Sequence, residues 1–362
     1  MFLHRVSSLL AVAALLWTAS GCGDSGREQS AVTAPAGTVT LRGAGSTLVV
    51  PLYKKWFAAY HADHPGVTID YDDVGSGEGV RRFIGRNVAE AEKVDFGASD
   101  AAMTDEEIAA SGKGAIMVPV TAGSVVLAYN LAEASGRLRL SREALAGIFL
   151  GDIRSWNDPR IARTNPGLKL PKLTIAPVVR LDASGTTFAF TKHLDAINER
   201  WRGRFGAATL VNWPEEARAM RGKGNEGVAA DIQHAVGSIG YVGHEFARRL
   251  SLSMAALENR EGRFVEPTEA SGMAAFAAAQ MPDNLRLFVA DPPGPDAYPI
   301  VTFSWILLYK SYSQPEKSEA MRELFRWTLT DGQKYASDLG FIPLPPSVTS
   351  PALAALNALA AN

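Results

Sequence analysis

An α/β protein of two lobes is the architecture this sequence predicts, and three observations carry it. From Val39 onward short apolar strands alternate with amphipathic helical stretches; loops of Gly, Ser and Thr recur where those strands end; and 362 residues are more than one domain usually holds. Such alternation favours βαβ units with mostly parallel sheets. Residues 39–41 read as the first strand, residues 43–47 as a turn, and residues 49–62 as a helix with Leu52, Trp56, Ala59 and Tyr60 on one face. Pro51 falls in its first turn, where a missing N–H is tolerated. Residues 67–71 form the next strand, followed by a glycine-rich turn at 75–79 and a helix from Val80. A strand at 94–97 ends in Ala98-Ser99-Asp100, and Thr104 with Glu107 makes a capping box that opens another helix.

The middle of the chain holds a strongly apolar strand at 124–129, a helix at 142–149 and a loop through Trp156, Pro159 and Pro166. A strand at 175–179 runs into Arg180-Leu181-Asp182-Ala183-Ser184-Gly185-Thr186, and the helix after it repeats Phe190, Leu194, Ile197 and Trp201 as one buried face. Later stretches predict helices at 227–235, 273–280, 316–330 and 351–359, with strands at 240–242 and 300–309. Crossovers near 120–126 and 299–303 let the chain leave the first lobe and later return to finish it. Residues 38–121 with 300–350 are thus expected as lobe I and residues 122–299 as lobe II, with the ligand in the cleft between them.

The first residues are a leader. Arg5 precedes an almost unbroken apolar run at 6–17, the length of a signal-peptide core and shorter than the about 20 residues of a bilayer span. Ala19-Ser20-Gly21 then lead into Cys22, the only cysteine, so residues 1–22 resemble a bacterial lipoprotein signal with Cys22 lipidated. Ala19 stands where that pattern usually has Leu, and a plain secretory leader is the alternative. Either one directs the protein out of the cytoplasm, to the periplasm or cell surface, without a second Cys for a disulfide. Residues 23–37, rich in Gly, Ser, Ala and Gln, read as a flexible tether with a reach of roughly 20 Å. A composition 47% hydrophobic and 20% charged excludes disorder, and a net charge of -2 offers no basic field for nucleic acid. An anionic ligand must be held by a few local groups.

Gly43-Ala44-Gly45-Ser46-Thr47, Gly75-Ser76-Gly77-Glu78-Gly79 and Ser184-Gly185-Thr186 share one design: a strand ends, a small-residue loop comes next and a helix begins. Each helix start offers free backbone N–H groups and partial positive charge, and each hydroxyl can cap the helix or turn to a ligand. One such loop alone is ordinary capping. Several at the carboxyl ends of predicted strands form an anion cradle, because open α/β sheets bind ligands there. Arg180 can pair bidentately with a tetrahedral oxyanion, and Asp182 can orient and partly neutralise it. Asp100 repels anions unless the ligand brings a proton for it, as phosphate does at neutral pH and sulfate does not.

Other signals point nowhere comparable. Gly222-Lys223-Gly224-Asn225-Glu226-Gly227 fits the dinucleotide pattern, yet no clear strand is predicted before it. Val74 occupies the position where a serine-hydrolase elbow needs Gly. The six His residues are dispersed, and no base is legible beside Ser184, which argues against a metal, a cofactor and a phosphoenzyme hydrolase.

The three loops, with Asp95-Phe96-Gly97-Ala98-Ser99-Asp100, Val179-Arg180 and Gly222 to Gly227, stand in the order seen in the periplasmic phosphate-binding proteins of bacterial ABC importers, the PstS type, and the chain resembles that family from about Leu41 to Pro346. The resemblance implies a type II periplasmic-binding-protein fold without catalysis, inorganic phosphate as ligand, and an ABC permease with its ATPase as partner. It also implies that Thr47 with the Leu48 amide, Ser76 and Asp100 bind from one lobe, that Arg180, Ser184, Gly185 and Thr186 bind from the other, and that Asp182 supports Arg180. A surface sensor of phosphate is the other role compatible with these residues. Gly77-Glu78 departs from the family's usual Ser-Gly and brings a carboxylate close to the site, residues 88–93 look like a small acidic insertion, and residues 215–221 are longer than usual.

Overall fold

The computed structural model describes residues 38–134, 138–357 and 359–361; the expected leader, Cys22 and the tether lie outside them. One mixed sheet contains β1 (Val39–Gly45), β2 (Val67–Asp72), β3 (Phe96–Ser99), β4 (Ala115–Tyr129), β5 (Ala176–Arg180), β6 (Met220–Gly222), β7 (Ser238–Gly243), β8 (Ser253–Met254) and β9 (Val301–Tyr309). Their order is β2-β1-β3-β9-β4-β7-β5-β6, with β8 also paired to β4. β1 runs parallel to β2 and β3, and β5 runs parallel to β6 and β7, as the βαβ alternation requires. The two long central strands are antiparallel: β9 to both β3 and β4, and β4 to β7.

β4 joins the two ends of the sheet. It pairs with β9 from Ala115 to Ser124 and with β7 from Val125 to Tyr129, and at the handover Val125 N–H donates to Ile300 O at 2.9 Å. This strand begins well before the expected residue 124, because Pro119 and Gly123 look like breakers in sequence. The register slips between Ser304 and Trp305, opposite Thr121 and Pro119. A residue without an N–H sits at that irregularity, where the ladder asks nothing of it. From Met117 on β4 is buried, as is all of β9, so the central strands are covered on both faces.

Four helices bear on the site: α1 (Val50–Asp63), α2 (Ser76–Ile84), α3 (Gly185–Ile197) and α4 (Gly224–His234). α1 buries Leu52, Tyr53, Trp56 and Tyr60, and the Trp56 indole donates to Gly332 O at 2.7 Å. The capping box of Thr104 and Glu107 is present. Several boundaries differ from the sequence reading. β1 extends through Gly45, and α2 begins at Ser76 rather than Val80: the glycines serve close packing, since a Cβ on Gly79 would lie 2.4 Å from Gly45 Cα. The apolar stripe of α3 breaks at Asn198, whose extended backbone and side chain cap a separate helix, Glu199–Arg204, carrying Trp201. The expected helix at 273–280 is Glu269–Phe276, started early by a capping box of Thr268 and Ser271.

Trp305 lies at the centre of β9, fully buried, and its indole donates to Leu285 O at 2.7 Å. Trp305→Ala is expected to lower stability by about 3–5 kcal/mol, which denaturant unfolding would read.

Candidate functional site

The chain segments after β1, β3 and β5 and the starts of α2 and α3 bring most of the expected ligand residues together. Thr47, Ser76, Asp100, Arg180, Ser184 and Thr186 are each no more than 9% exposed. Polar groups this deep need partners from the protein or from a ligand. Gly185 is where the two ends of the sheet meet: a Cβ on it would lie 2.6 Å from Asp100 Cβ and 2.7 Å from Ser76 Oγ. Only glycine lets the start of α3 approach so closely. Further bonds hold the cleft shut. Gly77 N–H donates to Ala183 O at 3.0 Å, and Asn225 donates to Thr47 Oγ1 from its backbone N–H at 3.1 Å and from Nδ2 at 3.0 Å.

Arg180 ends β5 with its guanidinium almost wholly buried. Nε donates to Asp182 Oδ1 at 2.9 Å and Nη2 donates to Oδ2, so the pair is bidentate. Asp182 Oδ1 also accepts from Gly224 N–H, at the start of α4, at 3.0 Å. Burial pushes the Asp182 pKa up, but the bonds and charge of Arg180 outweigh it and hold the carboxyl below the usual range. Tyr241, on β7, anchors the arrangement: its hydroxyl accepts from Arg180 N–H at 3.1 Å and pairs with Thr187 Oγ1 at 2.9 Å. Burial raises this phenol to about 12, so it stays neutral.

Asp100 is the opposite case. Its Oδ2 accepts a 2.6 Å bond from Ser46 Oγ and its N–H donates to Ser76 Oγ at 3.3 Å, while Oδ1 is buried with no hydrogen-bond partner among the described residues. Burial pushes its pKa up to about 6, against the lowering pull of Ser46, Ser304, Arg180 and Ser76. The Ser304 hydroxyl is near enough to act on this charge but by geometry completes no hydrogen bond. What the arrangement offers is an unmet acceptor beside a guanidinium and helix starts, suited to an oxyanion that carries a proton.

The remaining expected residues divide. Ser184 Oγ accepts from Thr187 N–H at 3.2 Å and caps α3, and Thr186 Oγ1 accepts from Asn225 Nδ2 at 3.2 Å. The Leu48 amide, expected to face a ligand, donates here to Ser46 Oγ at 3.1 Å. Glu78 is taken up by its own helix, accepting from Arg81 at 2.7 Å and Arg82 at 2.9 Å. Those bonds hold its carboxyl far below the usual range, so it is a neutralised pair partner rather than a free charge. The acidic stretch at 88–93 contains a single 3₁₀ turn, Glu90–Glu92.

A strand does precede the glycine motif at 222–227: β6, whose three residues are too few to show a period and whose Met220 and Arg221 are exposed. α4 nevertheless offers no open cradle for a pyrophosphate, because Asn225 N–H already donates to Thr47. Sequence reasoning overlooked Ser46, Asn225 and Tyr241 as site residues. The first two sit inside motifs whose glycines drew the reading; Tyr241 lies 61 residues from Arg180 and gives no local signal. Among the described residues, no group of His, Cys, Asp and Glu is placed to hold a metal ion, and no helix is long and apolar enough to cross a membrane.

The pKa of Asp100 makes a stability prediction. With the folded value near 6 and an unfolded value near 4, the native state keeps a proton that the unfolded chain releases between those limits, so stability falls as pH rises from about 4 to about 6. In the ligand-free protein Asp100→Asn should flatten that slope and raise stability at pH 7, by on the order of 3 kcal/mol; unfolding titrations across this window test both statements.

A family model described as a PBP superfamily domain matches residues 31–331. The phosphate-binding protein PstS of Pasteurella multocida is 38% identical over 88% of this chain and 89% of its own length, and its counterpart in Xylella fastidiosa is 36% identical over 91% and 92%. Among solved structures, a high affinity periplasmic phosphate-binding protein, PfluDING, bound with phosphate, aligns with a TM-score of 0.71 over 86% of this chain and 92% of that one; at 22% identity the likeness is one of fold. With the sheet, the cleft and these relatives in agreement over nearly the whole body, the chain belongs to the PBP superfamily and, within it, to the family of PstS phosphate-binding proteins.

Proposed function

We infer that this protein binds inorganic phosphate in its closed cleft and hands it to a membrane ABC importer, performing no chemistry itself. The observation that carries the reading is Asp100: a buried carboxylate whose Oδ1 has no partner among the described residues and whose pKa is pushed up to about 6. Phosphate at neutral pH brings the proton such a group accepts. Its other oxygens call for donors, and the cleft supplies the Arg180 guanidinium, the hydroxyls of Thr47, Ser76, Ser184 and Thr186, and the N–H of Gly185 at the start of α3. Asp182 keeps the guanidinium flat against its partner and compensated. Leu48 joins this set only by sharing its N–H with Ser46 Oγ. The names and share of identity of the relatives support the ligand.

In this reading residues 38–121 with 300–350 and residues 122–299 are lobes that open about β4 and β9, and phosphate favours the shut form because its contacts come from both. Ser184 caps α3 by accepting from Thr187 N–H and keeps its hydroxyl proton for a ligand oxygen. Lipidation of Cys22 and the tether at 23–37 would keep the exported body near the membrane that holds its permease.

Calorimetry of the ligand-stripped protein with phosphate and then sulfate is the direct test, and one-to-one phosphate binding is the expected outcome. Arg180→Ala should weaken it by two or more orders of magnitude, about 3 kcal/mol; an unchanged affinity would sink the site assignment. Sulfate should be refused at pH 7 and be taken up increasingly as pH falls through about 6, where Asp100 itself gains the missing proton. Asp100→Asn, a permanent mimic of that protonated state, should bind sulfate without this pH dependence.

A further inference from the structure

Asn225 is fully buried, and each hydrogen-bonding group of its side chain has a partner. Its Oδ1 accepts from Gly243 N–H at 2.9 Å. A backbone N–H can only donate, so this one bond decides which end of the amide is oxygen and which is nitrogen. Nδ2 therefore faces Thr47 Oγ1 at 3.0 Å and Thr186 Oγ1 at 3.2 Å, and the Asn225 backbone N–H adds a second donation to Thr47 Oγ1 at 3.1 Å. An amide nitrogen offers protons and no acceptor, so both threonine oxygens must accept here. Each hydroxyl then keeps its single proton for something else.

We propose that Asn225 is a positioning residue that turns the hydroxyls of Thr47 and Thr186 into donors toward the anion in the cleft, and that it does so for Thr47 only when the cleft is shut. Thr47 comes after β1 at one end of the sheet; Thr186 and Asn225 come after β5 and β6 at the other. One side chain thus sets the polarity of two ligand groups that reach the site from opposite ends. Without the amide, the Thr186 hydroxyl is free to rotate and present a lone pair to the anion, which repels, and Thr47 keeps only the backbone N–H of residue 225. Closure and the completed donor set become one event, because the bonds that orient Thr47 are also bonds across the cleft.

The proposal rests on the phosphate reading, and the experiment separates the two. Phosphate affinity is measured by calorimetry for the wild type, Asn225→Asp, Asn225→Ala, Thr186→Val and the double variant Asn225→Ala/Thr186→Val, with thermal melting of each ligand-free protein as a check of folding. A carboxylate at 225 only accepts, so it would draw both threonine protons away from the anion and add a like charge; Asn225→Asp should weaken binding by about 100-fold or more. Asn225→Ala, which adds no charge and keeps the test readable if the Asp variant does not fold, should cost about tenfold. The decisive comparison is the cycle on Thr186, whose hydroxyl is oriented by Nδ2 alone: Thr186→Val should cost about tenfold in the wild type and under about threefold beside Asn225→Ala, since a hydroxyl no longer aimed has little to lose. A purely structural strut would leave that cost the same in both backgrounds. Equal costs, or an Asn225→Asp protein that binds phosphate within about threefold of wild type, overturn the role of Asn225 alone; a wild type silent toward phosphate overturns the phosphate reading and this proposal with it.

Discussion

The pairing of Arg180 with Asp182 is the interaction on which the site depends. A guanidinium with its side chain 1% exposed cannot stay buried uncompensated, and the compensating carboxylate stands two residues along the same chain. The pair is therefore local: it needs neither the other end of the sheet nor a ligand. Gly224 N–H and the Tyr241 hydroxyl fix it from two further elements, so the guanidinium is held in place before anything enters the cleft. Pre-organisation of this kind limits the entropy lost on binding.

Because that pair is already neutral, Asp100 is left without a cation of its own. It comes from the far end of the sheet and finds only serine hydroxyls and the outer field of Arg180. Its raised pKa is the price of that position, and in the proposed function the same position would let the site tell a protonated oxyanion from a bare one. Stability and selectivity thus pull against each other at a single residue, as is common where a buried charge is kept for function.

The sheet explains why these groups can meet. β4 and β9 are long, buried on both faces and shared by the two ends, while the parallel strands on the two sides run in opposite directions along β4 and deliver their loops toward one another at its handover. Helix starts gather there and add positive potential without adding a charged side chain. Glu78 fits the same restraint on charge. It would burden an anion site if free, and two arginines of its own helix tie it up at i+3 and i+4, the spacing at which helical side chains touch.

Much of this is legible in the order of the residues alone. The alternation of strand and helix, the capping box at Thr104, the loops at Ser46-Thr47, Ser76 and Ser184-Gly185-Thr186, and the pairing of Arg180 with Asp182 are local, because backbone periodicity, capping and i to i+2 contacts are settled by neighbours in the chain. The full length of β4, the strand before Gly222 and the break of α3 at Asn198 are not, since there tertiary pairing overrides weak or misleading local preference. By itself, then, the sequence determined the fold class and the family, and it marked the small-hydroxyl loops and helix starts that are proposed to hold the ligand around Arg180. Only the tertiary structure decided that Ser46 takes one oxygen of Asp100 and leaves the other unpartnered among the described residues, and that Asn225 joins Thr47 to Thr186. Asn225 lies 178 residues from Thr47 and 39 from Thr186, and contacts of that range depend on how the halves of the sheet close together, which no local pattern of residues encodes.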